Sequence, residues 1–228
     1  MDKIGFLGVP EPTAEGQRIF DEDLAEVGYV MNVSRLWAYQ PATMTGLFNL
    51  VRQANAADRL SLRQRLILVA ACASAFGDSY CSLVWGCKLA EASDAQTAAE
   101  VLQGVDDRLS ASERALAGWA RTVARDPNHT SAADVQALRD AGFSDSQIFT
   151  ITVFVALRLA FSTVNDALGL GCNVAVRRVG PGAGTGRCSV TVAGLYGDLR
   201  RLPRRGSAWV LRSPTAPVAA DSSGARGA

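Results

Sequence analysis

Across the first 172 residues the apolar positions recur at helical spacing, and no stretch alternates with the period of two that marks a half-buried strand. Residues 1–12 read as an extended arm ended by proline. Thr13 then opens a helix to about Val27, with Ile19, Phe20, Leu24 and Val27 spaced to bury one side and Gly28 placed to stop it. Residues 32–39 predict a short helix or turn before Pro41. A helix over 43–55 follows, with Leu47, Leu50 and Val51 inward. Apolar density peaks over residues 62–91, where two helices meet at a break formed by Phe76, Gly77 and Asp78. Ser61 is placed to cap the first of the pair and Asp78 the second, because each side-chain oxygen can accept from the orphan N–H groups of a first turn.

Beyond residue 93 the pattern continues with a short Ala-rich helix over 94–102. A capping box at Ser110–Glu113 opens a helix to about Arg125 that buries Leu116, Trp119 and Val123. Thr130 or Ser131 caps the next helix and Gly142 ends it. A second capping box, Ser144–Gln147, opens a helix to about Leu168 that is apolar nearly all round. Such a helix belongs in the middle of a bundle or at a subunit interface. The fold class is therefore all-α, with a helical domain over 1–172. Residues 173–228 lose helical period and become rich in Arg, Gly and Pro, which predicts a disordered tail.

Charge divides the chain at the same place: residues 1–172 carry net −6 and residues 173–228 net +7. Neither the arginine-rich tail nor Gly180–Gly186 makes a recognisable site. The glycines lack a following Lys-Ser/Thr and a helix, and the tail lacks a reader fold, so no nucleic-acid partner is expected. The longest apolar run, Ile148–Leu157, falls short of the roughly 20 residues that span a bilayer, so no membrane partner is expected either. Five cysteines without framework spacing fit a reducing, cytoplasmic setting. A single histidine, His129, reads as a surface-loop residue; it rules out a His-rich metal site, and no metal or cofactor is expected.

The candidate chemistry lies just past the central break. With Asp78 as N-cap, Cys81 falls in the first turn of its helix, where the positive end of the helix dipole favours thiolate. Asp78, one turn earlier, opposes this by repulsion, so activation of the thiol is left open by the sequence. Trp85 lies one helical turn beyond Cys81 on the same face. It is either core packing or an aromatic wall over a pocket; Tyr80 carries the same two readings. Cys72 and Cys87 fall on apolar faces and read as small buried hydrophobes, either able to serve as a resolving thiol if the two helices pack together.

The stretch Leu62–Ala70, then Asp78-Ser-Tyr-Cys81 followed by Trp85-Gly86, resembles the carboxymuconolactone decarboxylase/alkylhydroperoxidase D (AhpD)-like family, and more closely its peroxidase-related branch. Residues 28–32, 109–116, 134–145 and 165–169 resemble the same family, which covers about residues 10–170. The resemblance implies an AhpD-like helical bundle that assembles as a trimer or hexamer. It also implies a Cys-x-x-Cys pair, a histidine four residues after the second cysteine and a glutamate twelve before the first, the last two relaying protons. In this chain those positions hold Asp78, Cys81, Trp85 and Leu66 in place of first cysteine, second cysteine, histidine and glutamate.

Only Cys81 keeps the family's chemistry. The expected function is a thiol-dependent, peroxidase-like antioxidant oxidoreductase that uses Cys81 without a paired cysteine. Asp78 would be its base, and Tyr80, Trp85 and Leu66 the pocket walls. Its partners would be a hydroperoxide or other small apolar substrate and an external thiol reductant. The rival expectations are a catalytically degenerate member that binds a small apolar ligand, and a lactone decarboxylase that works through Asp78.

Overall fold

The computed structural model describes residues 3–58 and 60–171. The tail, with Cys172, Cys188 and the glycine run, lies outside the described residues. Nine α-helices are described: α1 Ala14–Val27, α2 Asn32–Trp37, α3 Pro41–Asp58, α4 Leu62–Phe76, α5 Ser79–Ala92, α6 Ala95–Gln103, α7 Ala111–Arg125, α8 Ala132–Asp140 and α9 Asp145–Ala167. The only described strands are β1 Lys3–Ile4 and β2 Leu7–Gly8, which pair antiparallel, so the N-terminal arm is a short hairpin.

Helices α1 and α4 to α9 each begin at a side-chain cap, whereas α2 starts after Met31 without one. Ser61, Ser110, Ser131 and Ser144 all close capping boxes, the last two with Asp134 and Gln147. Between the two cap candidates Thr130 and Ser131, the structure selects Ser131. Gly28, Gly77 and Gly104 end α1, α4 and α6 in the left-handed conformation, which costs glycine nothing.

The centre of the bundle is α4. Residues 66–73 are buried without interruption, and the helix is packed among α5, α6, α7 and α9. That central position explains its apolar run: a helix enclosed on every side has no polar face to display.

Two sequence expectations about inward faces differ from the structure. Leu24 on α1 is 49% exposed and Leu50 on α3 is 51% exposed. On α1 the fully buried positions are Gly16 and Asp23, with Ile19, Phe20 and Val27 half-covered. The apolar stripes exist, but the described residues do not cover them.

Helix α9 also divides. Ile148, Ile151, Phe154, Val155 and Phe161 are buried, while Phe149 is 72% exposed. By length and mean hydropathy α9 is the one described helix able to cross a membrane, despite its short apolar run. In this structure it is a core helix packed on α3, α4 and α7. Its buried side is unexpectedly polar, carrying Thr150, Arg158, Ser162 and Asn165.

Candidate active site around Cys81

The site is built by the α4–α5 break. Gly77 takes φ 91°, and its N–H and that of Asp78 both donate to the Ala73 carbonyl, at 2.9 and 3.0 Å. The turn delivers Asp78 as N-cap of α5, where its Oδ1 accepts from the Cys81 N–H at 2.8 Å. Cys81 therefore sits in the first turn, and both residues are buried, Asp78 completely and Cys81 at 2% exposure. The second Asp78 oxygen, Oδ2, is buried and accepts no hydrogen bond.

From the opposite side comes Arg158, in mid-α9 and 4% exposed. Its Nη2 donates to Cys81 Sγ at 3.7 Å, a long contact to a weak acceptor. The guanidinium is surrounded by rings, 4.8 Å from the Trp85 centroid, 5.5 Å from Phe161 and 6.0 Å from Phe48. These are cation–π distances, and they provide part of the stabilisation that burial takes from the charge. Phe161 is held by stacking on Trp37, whose Nε1 donates to Asn165 Oδ1 at 2.8 Å.

Electrostatics settle what the sequence left open. The Cys81 thiol is pushed far above the ordinary range, first by burial and then by the negative charge of Asp78, with Arg158 pulling the other way. Cys72, also buried, is pushed up to about 12 for the same leading reason, desolvation. The helix-dipole advantage of a first-turn position is overwhelmed, so at neutral pH Cys81 rests as a thiol.

Beside this centre lies a cavity of about 570 Å³ between α3, α4, α5 and α9. Leu66 and Trp85 line it, and so does Arg158. Cys81, Asp78 and Tyr80 do not line it. Tyr80 is buried in the same apolar cluster as Cys81, together with Ile4, Val33, Leu36 and Trp37. Trp85 and Arg158 thus stand between the cavity and the thiol. His129 is a surface residue, with Nδ1 2.6 Å from Asp126 Oδ2. Among the described residues no group of His, Cys, Asp and Glu is arranged to hold a metal ion.

Arg158 is the component that sequence reading missed. Its signal was present as a lone arginine in an apolar helix, continued by Ser162 and Asn165 at spacings of four and three, which is one polar stripe.

No protein-family profile matches the sequence, and no curated protein matches it. Solved structures do. An uncharacterised peroxidase-related protein from Silicibacter sp. TM1040 aligns with TM-score 0.65 at 21% identity, over 76% of this chain and 94% of that one. An uncharacterised peroxidase-related protein from Ralstonia eutropha JMP134, described as an alkylhydroperoxidase AhpD core, aligns with TM-score 0.66 at 23% identity, over 76% and 95%. The fold is that of the AhpD-like, peroxidase-related proteins. The debrominase Bmp8 shares this AhpD-like fold at lower identity: its Cys-to-Ala variant in complex with 2,3,4-tribromopyrrole aligns with TM-score 0.60 at 15% identity, over 76% and 94%. The resemblance read from residues 10–170 and the structural likeness agree on architecture.

Proposed function

We propose that the protein is a thiol-dependent, peroxidase-like oxidoreductase. Cys81 is the reacting sulfur, Asp78 its proton acceptor and Arg158 the counter-cation. The observation that carries this reading is the 3.7 Å contact between Arg158 Nη2 and Cys81 Sγ, made by a buried arginine that also lines the cavity.

A thiol buried between a carboxylate and a guanidinium has a route to thiolate that needs no change in net charge. The proton passes from Sγ to Asp78, leaving a protonated acid and a thiolate against Arg158. The thiolate then attacks the terminal oxygen of a hydroperoxide, the O–O bond breaks, and protonated Asp78 returns the proton to the departing alkoxide. The products are a Cys81 sulfenic acid and an alcohol. Two equivalents of an external thiol restore Cys81, forming water and a disulfide. Access requires Trp85 and Arg158 to shift, because they separate the cavity from the sulfur.

The likeness to a debrominase crystallised with a tribromopyrrole supports reading the cavity as a small-molecule site. The half-exposed stripes of α1 and α3 and the outer face of α9 support assembly into a homo-oligomer. The test of the chemistry is mass spectrometry after one equivalent of cumene hydroperoxide, with Cys81→Ser as control. A dimedone adduct on Cys81 is the expected result. A thiol that stays unmodified while the cavity binds ligand would replace this reading with that of a binding protein.

A further inference from the structure

The cavity beside Trp85 has an unusual wall. Its body is apolar and largely aromatic, with Phe48, Leu66, Val69, Trp85 and Phe154. Set into that wall are four cations, Arg52, Arg65, Lys88 and Arg158, against one acid, Glu91. Among the described residues none of Arg65, Lys88 and Arg158 pairs with a carboxylate within 4 Å. Three buried polar atoms on this one lining have no hydrogen-bond partner: Nε of Arg158, Nε of Arg65 and Oδ1 of Asn55.

A guanidinium that is 4% exposed carries a large desolvation penalty, and sulfur and ring faces compensate only part of it. What remains unmet is an anion. A carboxylate supplies two coplanar acceptors that match the guanidinium fork, and the aromatic walls are suited to a flat apolar body. The volume is within the range that encloses small organic ligands.

We infer that this cavity binds an amphipathic aromatic carboxylate, with the carboxylate held between Arg158 and Arg65 and the ring system against Phe48, Trp85 and Phe154. This deepens the proposed function by naming the substrate class, an aryl hydroperoxide bearing an acid group, and it rests on that reading only for the chemistry that follows binding. Arg158 then has two roles: it holds the ligand's acid group on the cavity side and faces the thiol on the other.

The experiment is calorimetric titration of the full chain with 2-naphthoate and with its neutral counterpart 2-naphthalenemethanol, on wild type, Arg65→Gln and Cys81→Ser. Naphthoate is expected to bind wild type at least tenfold more tightly than the alcohol. Arg65→Gln should remove most of that preference without changing alcohol binding, and Cys81→Ser should leave it intact. Equal binding of acid and alcohol, an Arg65→Gln protein that keeps the full preference, or no binding of either compound would overturn the inference. The two ideas fail separately. Naphthoate binding with an inert Cys81 leaves the anion site standing and removes the thiol chemistry. Oxidation of Cys81 with no naphthoate binding does the reverse.

Discussion

The residue on which most depends is Arg158. A charge at 4% exposure without a carboxylate partner is costly, and no packing argument requires it at a position where a methionine would fill the same space. Arg158→Met is therefore expected to raise the melting temperature by about 2–4 °C, the equivalent of ~1 kcal/mol for a domain of this size. Cys81 oxidation should fall at least tenfold, because the thiol loses the group that lowers its pKa. Thermal denaturation and the dimedone assay read the two effects, and a large loss of stability would show instead that the guanidinium is paired in solution. Cys81 and Asp78 were legible from the sequence because a cap and a first-turn cysteine are local facts. The pairing with Arg158 was not, since it joins positions 77 residues apart. Tyr80 read as a pocket residue by adjacency to Cys81; it shares the buried cluster of Cys81, Val33, Leu36 and Trp37, and neither residue lines the cavity.

At the scale of elements, the helices and their ends followed from caps and spacing almost throughout, and the departures were in the faces. Leu24 and Leu50 belong to real apolar stripes, but periodicity fixes a stripe and not what covers it. The N-terminal arm shows the complementary limit. It forms a hairpin whose turn is tied to a residue far along the chain: the Phe6 N–H donates to the Leu168 carbonyl at 2.9 Å. Gly5, at φ 60°, passes so close that a Cβ there would lie 2.2 Å from that carbonyl oxygen. Gly5→Ala is accordingly expected to cost about 2 kcal/mol or more in urea unfolding, through left-handed backbone strain and collision together. Gly8→Ala, where a Cβ meets nothing within 4 Å, is the control and should be within about 0.5 kcal/mol of wild type. Equal effects would show that the hairpin does not dock on the end of α9.

For the molecule as a whole, Phe149, Leu24 and Leu50 are exposed among the described residues, and the proposed homo-oligomer is what would cover them. Burying a large aromatic contributes roughly 1.5–3 kcal/mol, which a second copy would supply. Light scattering on the eluting protein is expected to give a trimer or hexamer at micromolar concentration, and Phe149→Lys should lower that mass. A monomer in both would contradict the assembly. Architecture was the most readable level of all, since helical spacing and a family resemblance pointed to the same bundle that the structural comparisons show. Function was least readable, because three of the four positions that the resemblance implies for the chemistry hold other residues here. The charge that faces Cys81, on Arg158, sits on a different helix.

The central claim is that Asp78 takes the Cys81 proton within a buried, charge-balanced site. It is tested most directly by the pH dependence of Cys81 sulfenic acid formation in wild type and Asp78→Asn. In wild type the reactive form, protonated acid and thiolate, holds the same number of protons as the resting form, so the rate should be flat between about pH 6 and 8. Asp78→Asn keeps a capping oxygen and removes the negative charge that raises the thiol, so the Cys81 pKa should fall. It remains elevated by burial, and the proton must now leave to solvent. The variant should therefore be slower at neutral pH, with a rate that climbs about tenfold per pH unit. A wild-type rate that climbs with the same slope as the variant, or a Cys81 that hydroperoxide never oxidises, would contradict the account.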